Sequence, residues 1–424
     1  MKADQAKLGD AERDPQWDPR QSRSLARVVR GELCAGCGLC AAMSPDKVAM
    51  RLSPQGFARP YAVGGALEHD EDARIAQSCP GSVVAPWSTD TAELHHAWGP
   101  IDSCGVGHAQ DDEVRFGGSS GGLLSALAIH ALEAGLVDAV VHIAADPSDP
   151  IRNRVGISTS RAEVMAAAGS RYGPSPVLSE LHMLLDDPRR FLIIGKPCDI
   201  SAIRQLASID ARVDARFPYK LSFFCGGMPS LAGTKAIIAD IGLDDAPITR
   251  FRYRGNGWPG TVEVAAKDGR VGTMSYAESW GRYLSSRVQY RCKICPDAVG
   301  GSADIAAADA WYGGESGYPQ FDERDGRSLI LGRSAAGVEL LASARRAGAI
   351  ADEPLAISEI DLMQPSQAHR KRLIAARTLA ARLMLQPVPT MKGLCVVAAA
   401  GTAGLGEQLH NLLGSLRRII LNRR

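Results

Sequence analysis

Aromatic residues, net charge and long apolar segments are all scarce in this sequence. Phe, Trp and Tyr make up 5% of the 424 residues while Gly alone contributes 44, which fits an α/β enzyme better than an all-β sandwich. The 48 Lys and Arg residues nearly balance the 47 Asp and Glu residues, so a nucleic-acid partner is not indicated. Apolar stretches such as Leu394 to Leu405 are well short of the roughly 20 residues that a transmembrane helix needs.

The N-terminal region has no apolar segment of the kind found in a secretory signal. Residues 1–28 are largely charged and polar, and we expect them to form a disordered lead-in. The sequence therefore predicts a cytoplasmic protein. In a reducing cytosol its ten cysteines are expected to bind metal or to carry out redox chemistry rather than to form disulfides.

Three cysteines near the N-terminus, Cys34, Cys37 and Cys40, have the spacing C-x2-C-x2-C. Thiolates so close together in a tight loop can converge on one 4Fe-4S cluster, and the intervening Gly36 and Gly38 let the backbone fold that tightly. The spacing therefore predicts an iron–sulfur cluster in a ferredoxin-like module.

The fourth ligand of this cluster must come from elsewhere in the chain. Ser44 occupies the position at which two-cluster ferredoxins carry their next cysteine. Cys79 is the predicted ligand instead, because Pro80 follows it, as a proline commonly follows the closing cysteine of a ferredoxin. A structural zinc site is the alternative, although zinc sites usually contain two CxxC pairs rather than a triplet.

Strands alternate with helices through the middle of the chain. Apolar runs predict strands at residues 137–144, 190–194, 219–224, 262–266, 305–311 and 328–331. This alternation predicts an α/β fold with some α+β character and a mainly parallel sheet. From about residue 365 onward the pattern is helical and basic.

Cys198 and Cys225 each follow a predicted parallel strand, and the carboxyl ends of such strands meet at one edge of a sheet. Cys292 and Cys295 add a CxxC pair from a later loop. Four thiolates from three segments can thus hold a second cluster at this edge. Taken singly, Cys198 or Cys225 also fits a small buried hydrophobe, and the CxxC pair also fits zinc or redox chemistry.

Three glycine-rich segments lie at residues 115–122, 169–174 and 252–260. The first enters a helix N-terminus, where exposed N–H groups and the helix dipole suit a phosphate or an electron-rich ring edge. The other two combine glycine with arginine and aromatic residues, which suits a planar anionic ligand. Each segment also has an ordinary explanation as a capped turn or a solvated loop.

Taken in order, these segments resemble the coenzyme F-420 hydrogenase/dehydrogenase beta-subunit family, which includes hydroxymethyl chlorophyll a reductase and divinyl chlorophyllide reductase. The resemblance spans roughly residues 30–390 and lies in motifs at residues 34–40, 79–80, 120–122, 169–172, 195–200, 225–230, 254–260, 292–297 and 303–305.

The resemblance implies non-covalently bound FAD and one or two 4Fe-4S clusters. It implies metal ligation by Cys34, Cys37, Cys40, Cys79, Cys198, Cys225, Cys292 and Cys295. It also implies flavin contacts from Ser119, Ser120, Gly121, Gly122, Ser170, Arg171, Tyr172, Arg254, Asn256 and Trp258.

Two positions depart from the family pattern. Lys196 occupies a loop position that is Thr in many relatives, and Gly226 follows Cys225 where many relatives have His. Members of the family differ in substrate, and not all of them use F-420. Membership alone therefore leaves the hydride partner open.

Five segments follow from these patterns. They are a disordered lead-in (1–28), a ferredoxin-like 4Fe-4S module (29–95), the first part of a flavin-binding domain (96–182), its second part with the second cluster (183–350) and a helical basic tail (351–424).

The expected function is electron transfer between a one-electron carrier and a small molecule. A ferredoxin-like carrier or a redox partner subunit would exchange electrons with the clusters, and FAD would exchange hydride with F-420 or another reducible substrate. The sequence assigns no catalytic residue. His108 and Tyr172 are candidates for proton transfer that fit a packing role equally well, and we interpret Cys104 and Cys395 as structural.

Other functions are left open at this stage. The chain also fits a non-catalytic electron-transfer subunit or a zinc-stabilised binding protein, and a homo-oligomer is compatible with the sequence. An apolar stripe in the C-terminal helix, accompanied by basic residues, fits docking to a partner, contact with an anionic membrane surface or packing on its own protein. The stripe and its basic companions are Leu405, Leu409, Leu412, Leu413, Leu416, Ile420, Arg417, Arg418, Arg423 and Arg424.

Overall fold

The computed structural model describes residues 8–312, 320 and 323–421. In chain order the strands are β1 (Val48–Leu52), β2 (Ala58–Ala62), β3 (Glu93–His95), β4 (Gly99–Ile101), β5 (Ser103–Ala109), β6 (Ala139–Asp146), β7 (Asp149–Ser158), β8 (Phe191–Gly195), β9 (Tyr219–Phe223), β10 (Ile248–Arg252), β11 (Thr261–Ala266), β12 (Val271–Ser275), β13 (Ile305–Asp309), β14 (Ser328–Gly332) and β15 (Ile350–Pro354).

The α-helices, again in chain order, are α1 (Arg23–Arg30), α2 (Leu39–Met43), α3 (His69–Ser78), α4 (Asp112–Gly117), α5 (Leu123–Glu133), α6 (Arg161–Ala166), α7 (Leu181–Asp186), α8 (Pro197–Ala207), α9 (Arg212–Arg216), α10 (Leu231–Ile241), α11 (Tyr276–Glu278), α12 (Tyr290–Lys293), α13 (Ala335–Arg346), α14 (Ile360–Met363), α15 (Pro365–Arg372), α16 (Ile374–Leu383), α17 (Val396–Ala400) and α18 (Leu405–Ile420).

The N-terminal module joins α1, α2 and α3 to the β1–β2 hairpin. Helix α1 begins at Ser22, whose hydroxyl accepts a hydrogen bond from the N–H of Leu25 and so satisfies a donor that the helix leaves unpaired. Strands β1 and β2 pair in antiparallel register, with Val48 opposite Ala62. Leu25, Val48 and Ile75 share one small core, and this packing holds the first cysteine loop between α1 and α2.

The segment before α1 differs from our expectation of a disordered lead-in over residues 1–28. In its described part, the side chain of Trp17 is only 8% exposed, and its indole N–H donates to the carbonyl of Pro60 over 3.0 Å. Asp10 forms a parallel bridge with Leu52 of β1. Burying the indole removes a large apolar surface from water. The free energy gained in this way offsets the loss of conformational entropy on ordering this polar segment.

We expect Trp17→Ala to lower the free energy of unfolding by about 3–5 kcal/mol, because the substitution leaves a cavity and removes the donor from Pro60. Helix α1 follows directly, so trypsin should also cleave at its arginines faster in limited proteolysis. The exposed Glu12 offers a matched control, since Glu12→Ala should leave both quantities unchanged. Equal cleavage rates for Trp17→Ala and the unmodified chain would contradict this packing.

The central sheet has eight strands in the order β15-β5-β14-β13-β9-β8-β6-β7. Its four neighbours β13, β9, β8 and β6 pair in parallel, with Ile305 opposite Leu221 and Leu192 opposite Tyr219. Strands toward both edges pair antiparallel. For β6 and β7 the reason is their short connection, which cannot return the chain in the same direction. The α/β prediction is confirmed, and the parallel pairing lies at the centre of the sheet.

Both faces of the central strands are buried. Phe191, Leu192 and Ile193 of β8 are each at most 1% exposed, as expected for a parallel strand covered by helices on both sides. Phe191 and Ile193 share a core with Ile200 of α8, whereas Leu192 joins Leu127 of α5 on the opposite face. These two cores fix the ends of β8 and β9, where the second cysteine set begins.

The chain after β14 is mostly helical. The predicted tail of residues 351–424 differs at its start, because β15 pairs with β5 at the sheet edge before the helices begin. Helix α18 packs on α16 through Leu412 and Leu416, which lie against Ala380 and Ala381. The exposed members of the predicted stripe and its basic companions are Leu405, Leu409, Leu413, Arg417, Arg418 and Ile420. Arg423 and Arg424 lie outside the described residues.

Within the described ranges, no helix is long and apolar enough to cross a membrane.

Candidate functional site

The first cysteine group is assembled by three parts of the N-terminal module. Cys34 and Cys37 lie on the loop after α1, Cys40 lies in α2, and Cys79 follows the last residue of α3. The side chains of all four line one cavity, whose other walls are apolar side chains such as Leu25, Val28, Met43, Met50 and Ile75. Ser44 is not among the residues that line this cavity, and its hydroxyl donates to Glu71 Oε1 over 3.3 Å.

The tight loop depends on two left-handed glycines. Gly36 has φ +71° and Gly38 has φ +90°, conformations that other residues adopt only with strain. A Cβ at Gly38 would also lie 2.7 Å from the backbone nitrogen of Ser179, so the loop packs directly on the segment before α7. The N–H of Gly36 donates to Cys34 Sγ over 3.4 Å.

Burial and the charges of neighbouring thiols raise the pKa values of two cysteines in the first group. Burial, together with the negative charge of Cys79, raises the pKa of Cys37 well above the ordinary thiol range. Burial and then the charge of Cys34 raise the pKa of Cys79 to about 11. Four thiolates in this cavity would therefore need the positive charge of a metal centre, and the donor set fits such a centre.

The second cysteine group forms where the sequence predicted it. Cys198 lies in the first turn of α8 after β8, Cys225 follows β9, and Cys292 and Cys295 lie in and just after α12. Burial and then the charge of Cys292 raise the pKa of Cys225 to about 12, so these thiols interact. The N–H of Met228 donates to Cys292 Sγ over 3.3 Å.

The two groups contain four thiols each. Among the residues that the structure describes, no three His, Cys, Asp or Glu side chains are arranged around a single metal ion.

The two cysteine groups are neighbours. Gln289 donates through Nε2 to the carbonyl of Ala35 over 3.5 Å and to Cys292 Sγ over 3.6 Å, so one side chain touches both. The N–H of Leu178 also donates to the carbonyl of Cys37 over 2.9 Å. The N-terminal module is therefore seated at the carboxyl edge of the central sheet, beside the second group.

Lys196, a departure from the family pattern, is buried between these groups. Its Nζ lies 2.8 Å from both carboxylate oxygens of Asp199 and 2.8 Å from the carbonyl of Ser175. Although burial lowers the pKa of a lysine, the negative charges of Asp199 and Cys198 outweigh that effect here and raise it. The longer side chain thus brings a positive charge where a threonine would bring only a hydroxyl.

The three glycine-rich segments converge beside the sheet. The guanidinium of Arg252 donates to the carbonyls of Gly117 and Arg254, which joins the first segment to the third. A Cβ at Gly169 would lie 2.8 Å from the carbonyl of Arg254, so the second segment also packs on the third. Ser120 donates from Oγ to the carbonyl of Arg327 over 2.7 Å, which anchors the turn that leads into α5.

Arg254 and Trp258 both bind Asp309, a residue that sequence reasoning missed. Arg254 donates to the two carboxylate oxygens over 2.7 and 2.6 Å, and the indole N–H of Trp258 donates to Oδ1 over 2.9 Å. The guanidinium also lies over the rings of Tyr276 and Trp311, at 4.5 and 5.2 Å from their centroids. An acidic residue at the carboxyl end of β13 was the signal available in the sequence.

The other predicted flavin residues have varied surroundings. Arg171 is engaged internally, with Nε donating to Asn153 Oδ1 over 2.8 Å and its other nitrogens donating to backbone carbonyls. Asn256 is exposed and donates to Glu263 Oε1 over 3.1 Å. The remaining predicted contacts are half-buried or buried on the same turns, namely Ser119, Gly121, Gly122 and Ser170.

A chain of contacts leads from the second cysteine group to these turns. Gly226 follows Cys225 directly, and a Cβ at Gly226 would lie 3.0 Å from the ring of Trp280. The ring of Trp280 in turn meets that of Tyr172 edge-on, with centroids 5.0 Å apart. The ring of Trp280 therefore leaves little room for a side chain at Gly226.

The two candidates for proton transfer lie on different sides of this region. Tyr172 is part of the aromatic contact just described. His108 lies on β5, where its Nδ1 is 2.8 Å from the carbonyl of Ala109. The N–H of Ala109 donates to the carbonyl of Gly121, so His108 adjoins the first glycine-rich turn. Cys104 and Cys395 belong to a separate apolar core, in keeping with a structural role.

Two models of one family match this chain. The model described as the N-terminal part of the coenzyme F-420 hydrogenase/dehydrogenase beta subunit matches residues 104–182, and the model of its C terminus matches residues 188–357. The matched segments include the second cysteine group and the converging glycine-rich turns. The first cysteine group and helices α15 to α18 lie outside them.

Individual relatives agree with this match. The coenzyme F-420 hydrogenase subunit beta of Methanococcus voltae is 29% identical over 296 residues, which are 66% of this chain and 95% of the relative. Chloroplastic 7-hydroxymethyl chlorophyll a reductase of Oryza sativa subsp. japonica is 24% identical over 221 residues, which are 52% of this chain and 45% of the relative.

A solved structure shares the fold. A chain of the F-420-reducing [NiFe] hydrogenase complex from Methanosarcina barkeri matches 68% of this chain and 96% of its own length, with a TM-score of 0.50 and 21% identity. The two matching models, the relatives and this fold lead to one conclusion. The chain belongs to the coenzyme F-420 hydrogenase/dehydrogenase beta-subunit family, whose members are subunits or enzymes of redox reactions.

Proposed function

We propose that this chain is an FAD- and 4Fe-4S-dependent oxidoreductase that moves electrons between a one-electron carrier and a small-molecule hydride acceptor, F-420 or another reducible compound. The observation that carries the proposal is the adjacency of three sites: the first cysteine group, the second cysteine group and the converged glycine-rich turns. When bound, clusters exchange single electrons and FAD exchanges either single electrons or hydride, so the set can connect the two kinds of partner.

The cysteine groups have the chemistry that clusters require. Each offers four buried or partly buried thiols whose negative charges repel one another, so a metal centre would be stabilised there by charge. The N–H groups of Gly36 and Met228 donate to cysteine sulfurs, and such donors tune the potential of a bound cluster. We assign one cluster to each group.

The converged turns are the proposed flavin site. Because Arg171, Arg254 and Trp258 donate to partners within the protein, we assign them the role of shaping the turns. We retain the predicted contacts from Ser120 to Gly122 and Tyr172 as those that face the cofactor. The N-terminus of α5 supplies N–H groups and a favourable dipole for an anionic part of it. The aromatic side chains around Arg254 supply apolar walls for a planar ring.

The one-electron partner is proposed to be a ferredoxin-like protein or a partner subunit. One relative is named as a subunit of a hydrogenase, and a chain of similar fold belongs to a hydrogenase complex. For this chain the N-terminal module is the proposed port, because it lies beside the second cysteine group.

Anaerobic purification followed by iron, sulfide and flavin analysis tests the proposal. We expect roughly eight irons, a similar amount of sulfide and one FAD per chain, because we assign one cluster to each four-thiol group and one flavin to the converged turns. Roughly four irons per chain would mean that only one of the two cysteine groups holds a cluster. Stoichiometric zinc without a visible chromophore would overturn the redox function and support a zinc-stabilised protein.

The alternative is a non-catalytic electron-transfer subunit, which the exposed leucines of α18 favour because they offer a surface for a larger complex. Mixing the dithionite-reduced protein with F-420 and other small acceptors distinguishes the two functions. Reoxidation of the flavin by a small molecule supports the enzyme. Reoxidation by a protein carrier alone supports the subunit.

A further inference from the structure

Arg291 is buried between the two cysteine groups. Its side chain is only 2% exposed, and Nε and Nη2 donate to the carbonyl of Pro80 over 3.2 and 2.9 Å. Pro80 directly follows Cys79, a member of the first group. The same guanidinium lies near the thiols of Cys295, Cys198 and Cys292, all members of the second group.

No carboxylate pairs with Arg291 in the part of the chain that the structure describes. The contrast with Arg254 is informative, because that equally buried guanidinium is paired with both oxygens of Asp309. A buried cation is costly unless an opposite charge lies close to it. For Arg291 the nearby groups that can carry negative charge are cysteine sulfurs, so thiolates or the clusters that they bind are the negative charges that act on it.

We propose that Arg291 is a positioning residue that sets the reduction potentials of the two clusters and favours electron residence on the second. This inference rests on the proposed function, since it assumes that both cysteine groups hold clusters. One-electron reduction adds one negative charge to a cluster, and a fixed positive charge beside it makes that reduction more favourable. A guanidinium stays protonated throughout the usable pH range, so its effect is permanent.

The contacts predict that the effect is unequal. The charges that act most strongly on Arg291 are those of three thiols of the second group, whereas in the first group its charge acts on Cys79, beside the Pro80 carbonyl that it bonds. Electrostatic interaction falls with distance, so the second cluster gains more from the positive charge. The result is a downhill step from the N-terminal module toward the sheet edge, which is the direction needed to deliver electrons to the flavin site.

The test compares Arg291→Gln, Arg291→Lys and the unmodified holoprotein in dithionite titrations monitored by electron paramagnetic resonance. In Arg291→Gln we expect the equilibrium constant for reducing the second cluster to fall about tenfold or more, a shift of about 59 mV to lower potential for one electron. Arg291→Lys should recover most of that loss because it keeps the charge. Repeating the titrations in a Cys79→Ala background, which should hold the second cluster alone, assigns the signal.

Arg377 supplies a matched control. Its Nη1 donates to the carbonyl of Lys293 over 2.9 Å, within the same CxxC loop, and the charges that act on its guanidinium come from other arginines rather than from the cysteines. Arg377→Gln should therefore change the equilibrium constant less than twofold.

Each outcome bears on one claim. An unmodified protein without iron overturns the proposed function and not the placement of Arg291. If Arg291→Gln retains two clusters at unchanged reduction potentials, the inference is overturned and the proposed function stays intact. Loss of iron from both Arg291 variants would show that Arg291 acts through packing and hydrogen bonds. Equal potentials in Arg291→Lys and Arg291→Gln would show the same. Either result overturns the inference.

Discussion

Cys79→Ala is expected to remove roughly four of eight irons and to abolish the spectroscopic signature of one cluster, because a 4Fe-4S cluster needs four protein ligands. Cys79 lines the same cavity as Cys34, Cys37 and Cys40. Its thiol has no substitute there, since the hydroxyl of Ser44 is bonded to Glu71. Iron analysis after anaerobic purification measures the loss, and the remaining signal should be that of the second cluster.

Two control variants make this result specific. Ser44→Ala should retain all of the iron, because Ser44 lies outside the cavity wall although it occupies the position of a ferredoxin cysteine. Cys104→Ala should also retain it, since Cys104 belongs to the apolar core of β5 rather than to either cysteine group. Full iron content in Cys79→Ala would refute the ligand assignment, and loss of iron in Ser44→Ala would point to ligation by the serine.

The second large effect is expected at Asp309, where Asp309→Ala should lower the free energy of unfolding by about 3–5 kcal/mol. The substitution leaves the guanidinium of Arg254, whose side chain is 3% exposed, without its opposite charge. It also removes the acceptor of the Trp258 indole N–H. Urea denaturation monitored by circular dichroism measures the change, and flavin content should fall with it because the third glycine-rich segment loses its anchor.

A double variant and a surface pair control this prediction. Asp309→Ala combined with Arg254→Met should recover part of the lost stability, because no buried charge then stays unpaired. Glu339 and Arg346 form a surface ion pair, with side chains that are 68% and 66% exposed. Glu339→Ala should therefore lower the free energy of unfolding by less than about 1 kcal/mol. If Asp309→Ala cost no more than Glu339→Ala, the buried pair would not anchor the turn.

The sequence was most informative where function depends on short-range spacing. The C-x2-C-x2-C loop, the CxxC pair and the cysteines that follow β8 and β9 were recognisable because a few residues of backbone decide how closely such side chains approach. The apolar runs that form β6, β8, β9, β13 and β14 were also recognisable, since strands in a covered sheet are apolar on both faces. The run that forms β11 was recognisable too, although that strand alternates between buried and more exposed residues in a separate three-stranded sheet.

Contacts between distant segments were not accessible in this way. Arg254 and Trp258 looked like ligand contacts because each lies on a glycine-rich loop, but their partner Asp309 is more than fifty residues away. Trp17 lies in a polar segment, and its burial depends on the carbonyl of Pro60 in β2. No local pattern distinguishes an aspartate or a tryptophan with such a partner from one without it.

By itself, then, the sequence determined the cysteine groups, the α/β class and the family, because these are encoded in local spacing and periodicity. Tertiary structure alone decided that the two groups are neighbours, that Arg291 lies buried between them and that Trp280 bridges Gly226 to Tyr172. The physical reason is that burial and charge pairing depend on which segments the folded sheet brings together. Those contacts have no signature within either segment.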